Sequence, residues 1–279
     1  MADVLLRAGV SVRAFGLPQQ LLSEGVDFFS DWRAAVRDCA VAVLPLPASP
    51  DSIHLNLPFA QEGESVRLFD LLEVLPDDAL LAGGRFSPTV KELAERRGCR
   101  LFDYFDCEEL QQKNALPTAE GAVAILMREI PRTVSGLSVA VTGYGRVAKA
   151  LVKLLLAMEA SVTVVARKQS DLDAAASCGA RTLHLVGKSS LLPLTSGYDA
   201  VFNTVPYWLF DEEILSATDP HTLLIDLASA PGGVDAAAAS AAGIRVIWAL
   251  SLPGRYAPVT AGEIIAQTIL SHLEKEELL

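Results

Sequence analysis

Two glycines one residue apart, Gly143 and Gly145, follow the apolar run Val139-Ala140-Val141-Thr142 and lead straight into an amphipathic stretch. That spacing suits a phosphate. Gly143 can take a tight turn, Gly145 lets the main chain approach an anion, and the small Ala148 lets a helix lie close on the strand. Tyr144, Arg146 and Val147 complete the turn, and free N–H groups at a helix start attract negative charge. The pattern is that of the pyrophosphate turn of a dinucleotide fold. Val147, Ala150, Leu151, Leu154, Leu155 and Met158 recur at helical spacing, which gives the helix one apolar face to bury. A β-branched strand, 161–166, follows and is left by Arg167 and Lys168. An acid about 20 residues past the turn would hold the ribose hydroxyls of NAD, whereas an arginine suits a 2′-phosphate, so the sequence favours NADP. The alternative is a solvated Arg-Lys pair beside a structural turn.

The elements that must position this turn alternate in the rhythm of a parallel sheet. Residues 170–178 read as a helix closed by Gly179, 183–186 as a strand, and 199–205 as a strand stopped by Pro206. Another strand, 222–229, ends in Pro231-Gly232-Gly233; a small-residue helix, 234–242, and a strand, 244–249, follow. Ligands of open parallel sheets gather beyond the carboxyl ends of the strands. Asn203, Thr204, Val205, Pro206, Asp226 and Ala228, with the loop 251–256, are therefore expected to line one crevice holding the nicotinamide. Ordinary turn chemistry is the competing explanation for these residue types.

The first half has its own order of strands (11–15, 41–44, 79–81, 99–104) and helices (32–37, 65–72, 87–97), with a long proline-punctuated loop from Pro45 to Pro58. Between the halves, Thr118 reads as the cap of an apolar helix running to Ile130, and Gly121 gives its first turn room for another group. The last helix, from about Ala261 to Leu273, should pack back on the first domain. The expected fold is α/β: two doubly wound Rossmann-like domains with parallel sheets separated by a cleft. Residues 1–118 plus 262–279 would form a substrate domain, and 119–261 the NADP-binding domain.

With 279 residues, 51% of them hydrophobic, the chain can bury a sizeable core. A formal net charge of −11 argues against nucleic acid as a partner. No run approaches the roughly 20 apolar residues that span a bilayer, and the N-terminus lacks a cleavable signal, so a cytoplasmic location without membrane contact is expected. Cys39, Cys99, Cys107 and Cys178 show no paired spacing and His54, His184, His221 and His272 no shared one, so neither a metal nor a disulfide frame is expected.

Asn114 to Gly121, Gly143 to Ala148, Phe202 to Pro206, Ile225 to Ser229 with Pro231-Gly232-Gly233, and Leu252 to Arg255 with Ala257-Pro258 and Thr260-Ala261-Gly262 together resemble the A subunit of dipicolinate synthase. The resemblance covers nearly the whole chain. It implies a sporulation enzyme that oxidises a dihydropyridine or hydroxylated tetrahydropyridine dicarboxylate to pyridine-2,6-dicarboxylate, with NADP as hydride acceptor and a flavoprotein-like B subunit of the synthase as partner; a homo-oligomer is also compatible. The residues fit such a substrate. Helix starts at Thr118 to Gly121 and at Thr260-Ala261-Gly262, with Asn114, offer donors for two carboxylates. Arg255, and less directly Arg85, would bind them bidentately unless they are solvated loop arginines. Hydride removal needs a proton acceptor; Glu120 and Asp226 are the candidates, and for Glu120 a favourable charge at a helix N-terminus is the rival role. Members of the family open with a strand and a Gly-Gly-Asp turn before the helix that begins here at about Val4. The first strand of the first sheet is thus expected to be missing, leaving a gap or forcing its neighbours to re-pair. Ser251 and Val259 stand where the family pattern has a glycine and a lysine. Two other readings stay open, an NADP-dependent dehydrogenase of another small hydroxy or amino carboxylate and a non-catalytic NADP-binding subunit.

Overall fold

Short β-branched runs separated by amphipathic helices leave the chain no hairpin route, so every paired strand runs parallel to its neighbour. The computed structural model describes residues 1–59 and 64–278. Its contacts divide into two units, Met1–Gln111 with Ala261–Leu279, and Gln112–Thr260.

In the first unit α1 (Ala2–Arg7), β1 (Val12–Ala14), β2 (Val26–Phe28), α2 (Trp32–Val36), β3 (Val41–Val43), α3 (Leu68–Val74), β4 (Leu80–Gly83), α4 (Pro88–Arg97) and β5 (Arg100–Asp103) follow in order. Strand β4 is buried along its length, and its alternating side chains serve two cores. Leu81 packs with Leu68, Leu71 and Leu72 of α3 and with Val90 and Ala94 of α4. Leu80 and Ala82 face Ile264, Ile269 and Leu273 of the C-terminal helix, which thus packs on the first unit.

A single doubly wound sheet is not what this unit forms. Among the described residues strands β1 and β2 pair only with each other, and β3, β4 and β5 form a separate three-stranded sheet. The strand at Val26–Phe28 was not anticipated, because three residues with one charge among them carry too little alternation to read.

A 22-residue helix, α5 (Glu108–Glu129), crosses from one unit to the other. It overturns the expected helix start at Thr118. Pro117 lies inside it, and the Thr118 hydroxyl donates back to the Asn114 carbonyl at 2.7 Å, the habit of an in-helix threonine rather than of a cap. The first boundary consequently falls at 111/112 and not at 118.

The second unit continues with β6 (Ser138–Thr142), α6 (Arg146–Ala157), β7 (Ser161–Ala166), α7 (Gln169–Ser177), β8 (Arg181–His184), β9 (Ala200–Asn203), α8 (Glu212–Ala217), β10 (Leu223–Asp226), α9 (Ala236–Ala241), β11 (Arg245–Trp248) and α10 (Leu252–Tyr256). Its six strands lie in the order β11-β10-β9-β6-β7-β8, the doubly wound order of dinucleotide-binding sheets. Both faces are covered. Val139 and Val141 of β6 pack with Leu151 and Leu155 of α6 and Ile125 and Leu126 of α5; Ala140, Val165 and Val201 pack with Ile214, Leu215 and Ala239 on the other side. The last helix, α11 (Pro258–Lys275), opens in this unit and ends in the first.

Candidate cofactor site and strand-end groups

The two glycines of the turn do different work. Gly143 has φ +87°, and a Cβ on it would meet Thr204 Oγ1 at 2.5 Å and Val205 Cγ2 at 3.0 Å, so both conformation and space demand glycine there. A Cβ on Gly145 would meet nothing within 4 Å. Gly145 is also the N-cap of α6, and no side chain caps that 12-residue helix. An open main chain at a helix start is what an incoming phosphate needs. The donor set therefore fits a dinucleotide pyrophosphate, with Arg146 exposed and Val147 half-buried beside it. Tyr144 differs from expectation. Its ring is 7% exposed and its hydroxyl reaches Cys178 Sγ at 3.8 Å; burial, then that contact, pushes its pKa up to about 12. Only its main chain faces the turn, because the apolar ring gains more from the core.

Arg167 and Lys168 are exposed at the end of β7, and among the described residues neither is paired with a carboxylate. His184 Nε2 lies 2.9 Å from the Arg167 carbonyl, which pins the main chain where the guanidinium departs. No motif in the sequence pointed to His184.

At the ends of β6, β9 and β10 the polar side chains turn inward. Asn203, 0% exposed, accepts from Thr142 Oγ1 at 2.6 Å and from Val205 N at 3.1 Å. Its amide donates to Val205 O at 3.0 Å and to Asp226 Oδ1 at 2.8 Å. Asp226, 2% exposed, also accepts from Ala228 N at 3.0 Å and Gly233 N at 2.7 Å. Thr204 Oγ1 donates to the Thr142 carbonyl at 2.8 Å. Asp226, expected as base, and Asn203, expected as cofactor ligand, are thus buried with their side-chain atoms hydrogen-bonded, and these bonds lock three strand ends together. The Ala228 N–H is spent in the same network, while Thr204 and Val205 back Gly143 and Pro206 is exposed.

The expected substrate groups scatter. Thr118 and Glu120 lie in the interior of α5, where main-chain N–H groups are already used, and Glu120 is exposed rather than at a helix N-terminus. Gly121 admits a helix instead of a ligand, since a Cβ there would sit 3.0 Å from Leu252 Cβ and Tyr256 Cδ2 of α10. Helix α11 begins at Pro258, which leaves Thr260 in its first turn but makes Gly262 interior, where a Cβ would sit 3.0 Å from the Met1 nitrogen. Asn114 keeps its interest, because its Oδ1 is buried without a hydrogen-bond partner. Arg255 is exposed and lies 6.0 Å from the Tyr256 ring centroid. Just before it, Ser251 holds φ +57°, a conformation that costs a non-glycine residue strain.

In the first unit, Gly83 and Gly84 at the end of β4 admit no Cβ against Phe86, Leu46 and Tyr104. Asp103 accepts from Arg85 N at 2.9 Å, Phe86 N at 2.9 Å and Phe105 N at 3.1 Å. Arg85 itself has φ +60°, and its guanidinium stands 5.7 Å from the Phe105 centroid. One further pair had no place among the expected site residues, His54 with Asp51 at 2.7 Å. Their i, i+3 spacing in a long loop was the available signal.

The strand order and the helix-start glycine turn define a two-unit protein of dehydrogenase-like fold. The fold recurs in an L-alanine dehydrogenase at 14% identity, with TM-score 0.68 over 98% of this chain and 83% of that one. The family described as the N-terminal domain of the dipicolinate synthase A subunit matches residues 1–105. The dipicolinate synthase A subunit of Bacillus subtilis (strain 168) is 30% identical over 238 residues, 84% of this chain and 79% of that protein. The crystal structure of the dipicolinate synthase A subunit from Bacillus halodurans aligns with TM-score 0.87 at 26% identity, over 97% of this chain and 92% of that one. The chain belongs to the family of dipicolinate synthase A subunits. No helix among the described residues is long and apolar enough to cross a membrane.

Proposed function

We propose that the chain is an NADP-linked oxidoreductase that converts a dihydropyridine or hydroxylated tetrahydropyridine dicarboxylate to pyridine-2,6-dicarboxylate in the cytoplasm of a sporulating cell, together with the flavoprotein-like B subunit. The observation that carries the cofactor part is the open Gly145 at an uncapped helix start, followed one strand later by Arg167 where an NAD site would have an acid. The main chain of residues 143–147 would hold the pyrophosphate, and Arg167 with Lys168 the 2′-phosphate. Bound NADP supplies the acceptor for the hydrogen and electron pair removed from the ring. Thr204 and Val205 keep the turn in place from behind. Family membership supports the ring dicarboxylate as substrate. Arg255 and, in the first unit, Arg85 are arginines without an acidic partner among the described residues and suit carboxylates. The unpartnered Asn114 Oδ1 suits a ring N–H or hydroxyl donor.

The test is turnover of purified chain with the hydroxylated tetrahydropyridine dicarboxylate and NADP or NAD, with and without the B subunit, followed by the absorbance of pyridine dicarboxylate. Product formed with NADP and this ring substrate is the expected result. Cofactor binding with no turnover under any condition would make the chain a nucleotide-binding protein without chemistry of its own. Turnover of hydroxy or amino acids in its place would assign a different dehydrogenase activity.

A further inference from the structure

We propose that His184 is a positioning residue for cofactor specificity: its imidazole fixes the main chain of Arg167, so that the guanidinium is presented to the 2′-phosphate of NADP from a rigid root. The inference rests on the cofactor reading above and deepens it. Both residues lie in the second unit.

Strands β7 and β8 pair in parallel, and Ala166 stands opposite His184 at their last residues. Past that point the two chains part, and each of three successive carbonyls on the β7 side is held by a different element. Ala166 O accepts from Leu185 N at 2.9 Å, a bond of the sheet ladder, and Lys168 O accepts from Asp171 N at 3.1 Å and Leu172 N at 3.2 Å, bonds of α7. Arg167 O lies between them and takes the imidazole, with His184 Nε2 at 2.9 Å. Among the described residues it accepts no other hydrogen bond. A carbonyl can only accept, so Nε2 carries the hydrogen. The side chain thus adds one rung to the ladder where the strands have ended.

The bend needs that rung. Strand β7 ends at Ala166, α7 begins at Gln169 with Lys168 as its N-cap, and no side chain caps that helix. Arg167 therefore sits between two regular elements, outside the hydrogen bonding of either. A guanidinium on a long stem gives up rotamer freedom when it pairs with a phosphate, and gives up more if its main chain is also free to move. A fixed root lowers that cost. NAD has no 2′-phosphate and makes no use of the guanidinium, so loosening the root weakens NADP and spares NAD. The rival role for an exposed imidazole is a direct contact with the phosphate, independent of Arg167.

The test is calorimetric titration of NADP and NAD into the intact chain as wild type, His184→Ala, His184→Gln, Arg167→Ala and the double variant. His184→Ala is expected to weaken NADP binding by about 3- to 10-fold and to leave NAD affinity, which reports an intact glycine turn, at the wild-type value. His184→Gln, whose amide can still donate to the carbonyl, should recover part of the loss. In the Arg167→Ala background His184→Ala should weaken NADP no further, because the root of an absent guanidinium no longer matters. Unchanged NADP affinity in His184→Ala, or an equal loss for both dinucleotides, overturns the proposal. A loss that persists in full without Arg167 also overturns it and makes the imidazole a direct ligand. If Arg167→Ala lowers the preference for NADP and His184→Ala does not, the cofactor reading stands and the inference alone falls; if neither variant changes the preference, both fall.

Discussion

At the strand ends of the second unit the polar side chains bond to one another, and the groups left open belong to the main chain. At the strand ends of the first unit the reverse holds. Asp103 is spent on three main-chain N–H groups, yet the Arg85 guanidinium has no acidic partner among the described residues. A dinucleotide is anchored through its phosphates by repeated N–H groups, so side chains near it can be devoted to rigidity. A small dicarboxylate, the proposed substrate, offers few atoms and would have to be met by charged side chains. A buried carboxylate at a strand end is therefore weak evidence for catalysis until its hydrogen bonds have been counted.

The contrast is most exposed at Asp226. Asp226→Ala strands the N–H groups of Ala228 and Gly233 in the interior, at about 1–3 kcal/mol for each stranded donor, and thermal melting should fall accordingly. An unchanged melting temperature with abolished turnover would return Asp226 to the reacting groups. A smaller effect is expected at Arg167. Losing a charge-assisted contact worth about 1.5–3 kcal/mol should weaken NADP binding by about 10- to 100-fold in Arg167→Asp while NAD is retained; unchanged NADP affinity by fluorescence titration removes the basis for the cofactor preference.

The two glycines separate conformational demand from ligand access. Gly143→Ala meets both a positive φ and Thr204 Oγ1 and should cost stability by about 1–2 kcal/mol, whereas Gly145→Ala should leave the melting temperature alone and weaken cofactor binding. Equal melting temperatures for the two variants would show that the turn relaxes. The smallest change concerns Ser251, whose left-handed backbone sits where the family pattern has glycine. Ser251→Gly should stabilise by up to about 1 kcal/mol, read as a small rise in urea midpoint, and a fall would mean that the serine side chain makes an unrecognised bond.

Much of the second unit was legible because its signals are local. The helix after Gly145 shows its apolar face within three turns, and β-branched runs at 161–166 and 199–205 need no distant residue to be recognised. The long helix α5 was misread for a local reason too. Proline followed by threonine is the ordinary punctuation of a helix start, and only packing of Ala119, Ala122, Ile125 and Leu126 in the core of the second unit outweighs the lost N–H of Pro117. In the first unit β2 carries too few residues to announce itself.

What the amino-acid order determined alone was the succession of strands and helices, the glycine turn with its conformational demands, and the basic residues that leave the second strand of the nucleotide fold. Tertiary structure decided which polar groups remain free. Asn203 meets Thr142 across 61 residues and Asp226 across 23, and Ala48 in the loop after β3 reaches Gly84 in the turn after β4. Turn geometry and periodicity are written within a few residues, whereas a hydrogen bond is satisfied or left open only when strands distant in sequence are laid side by side.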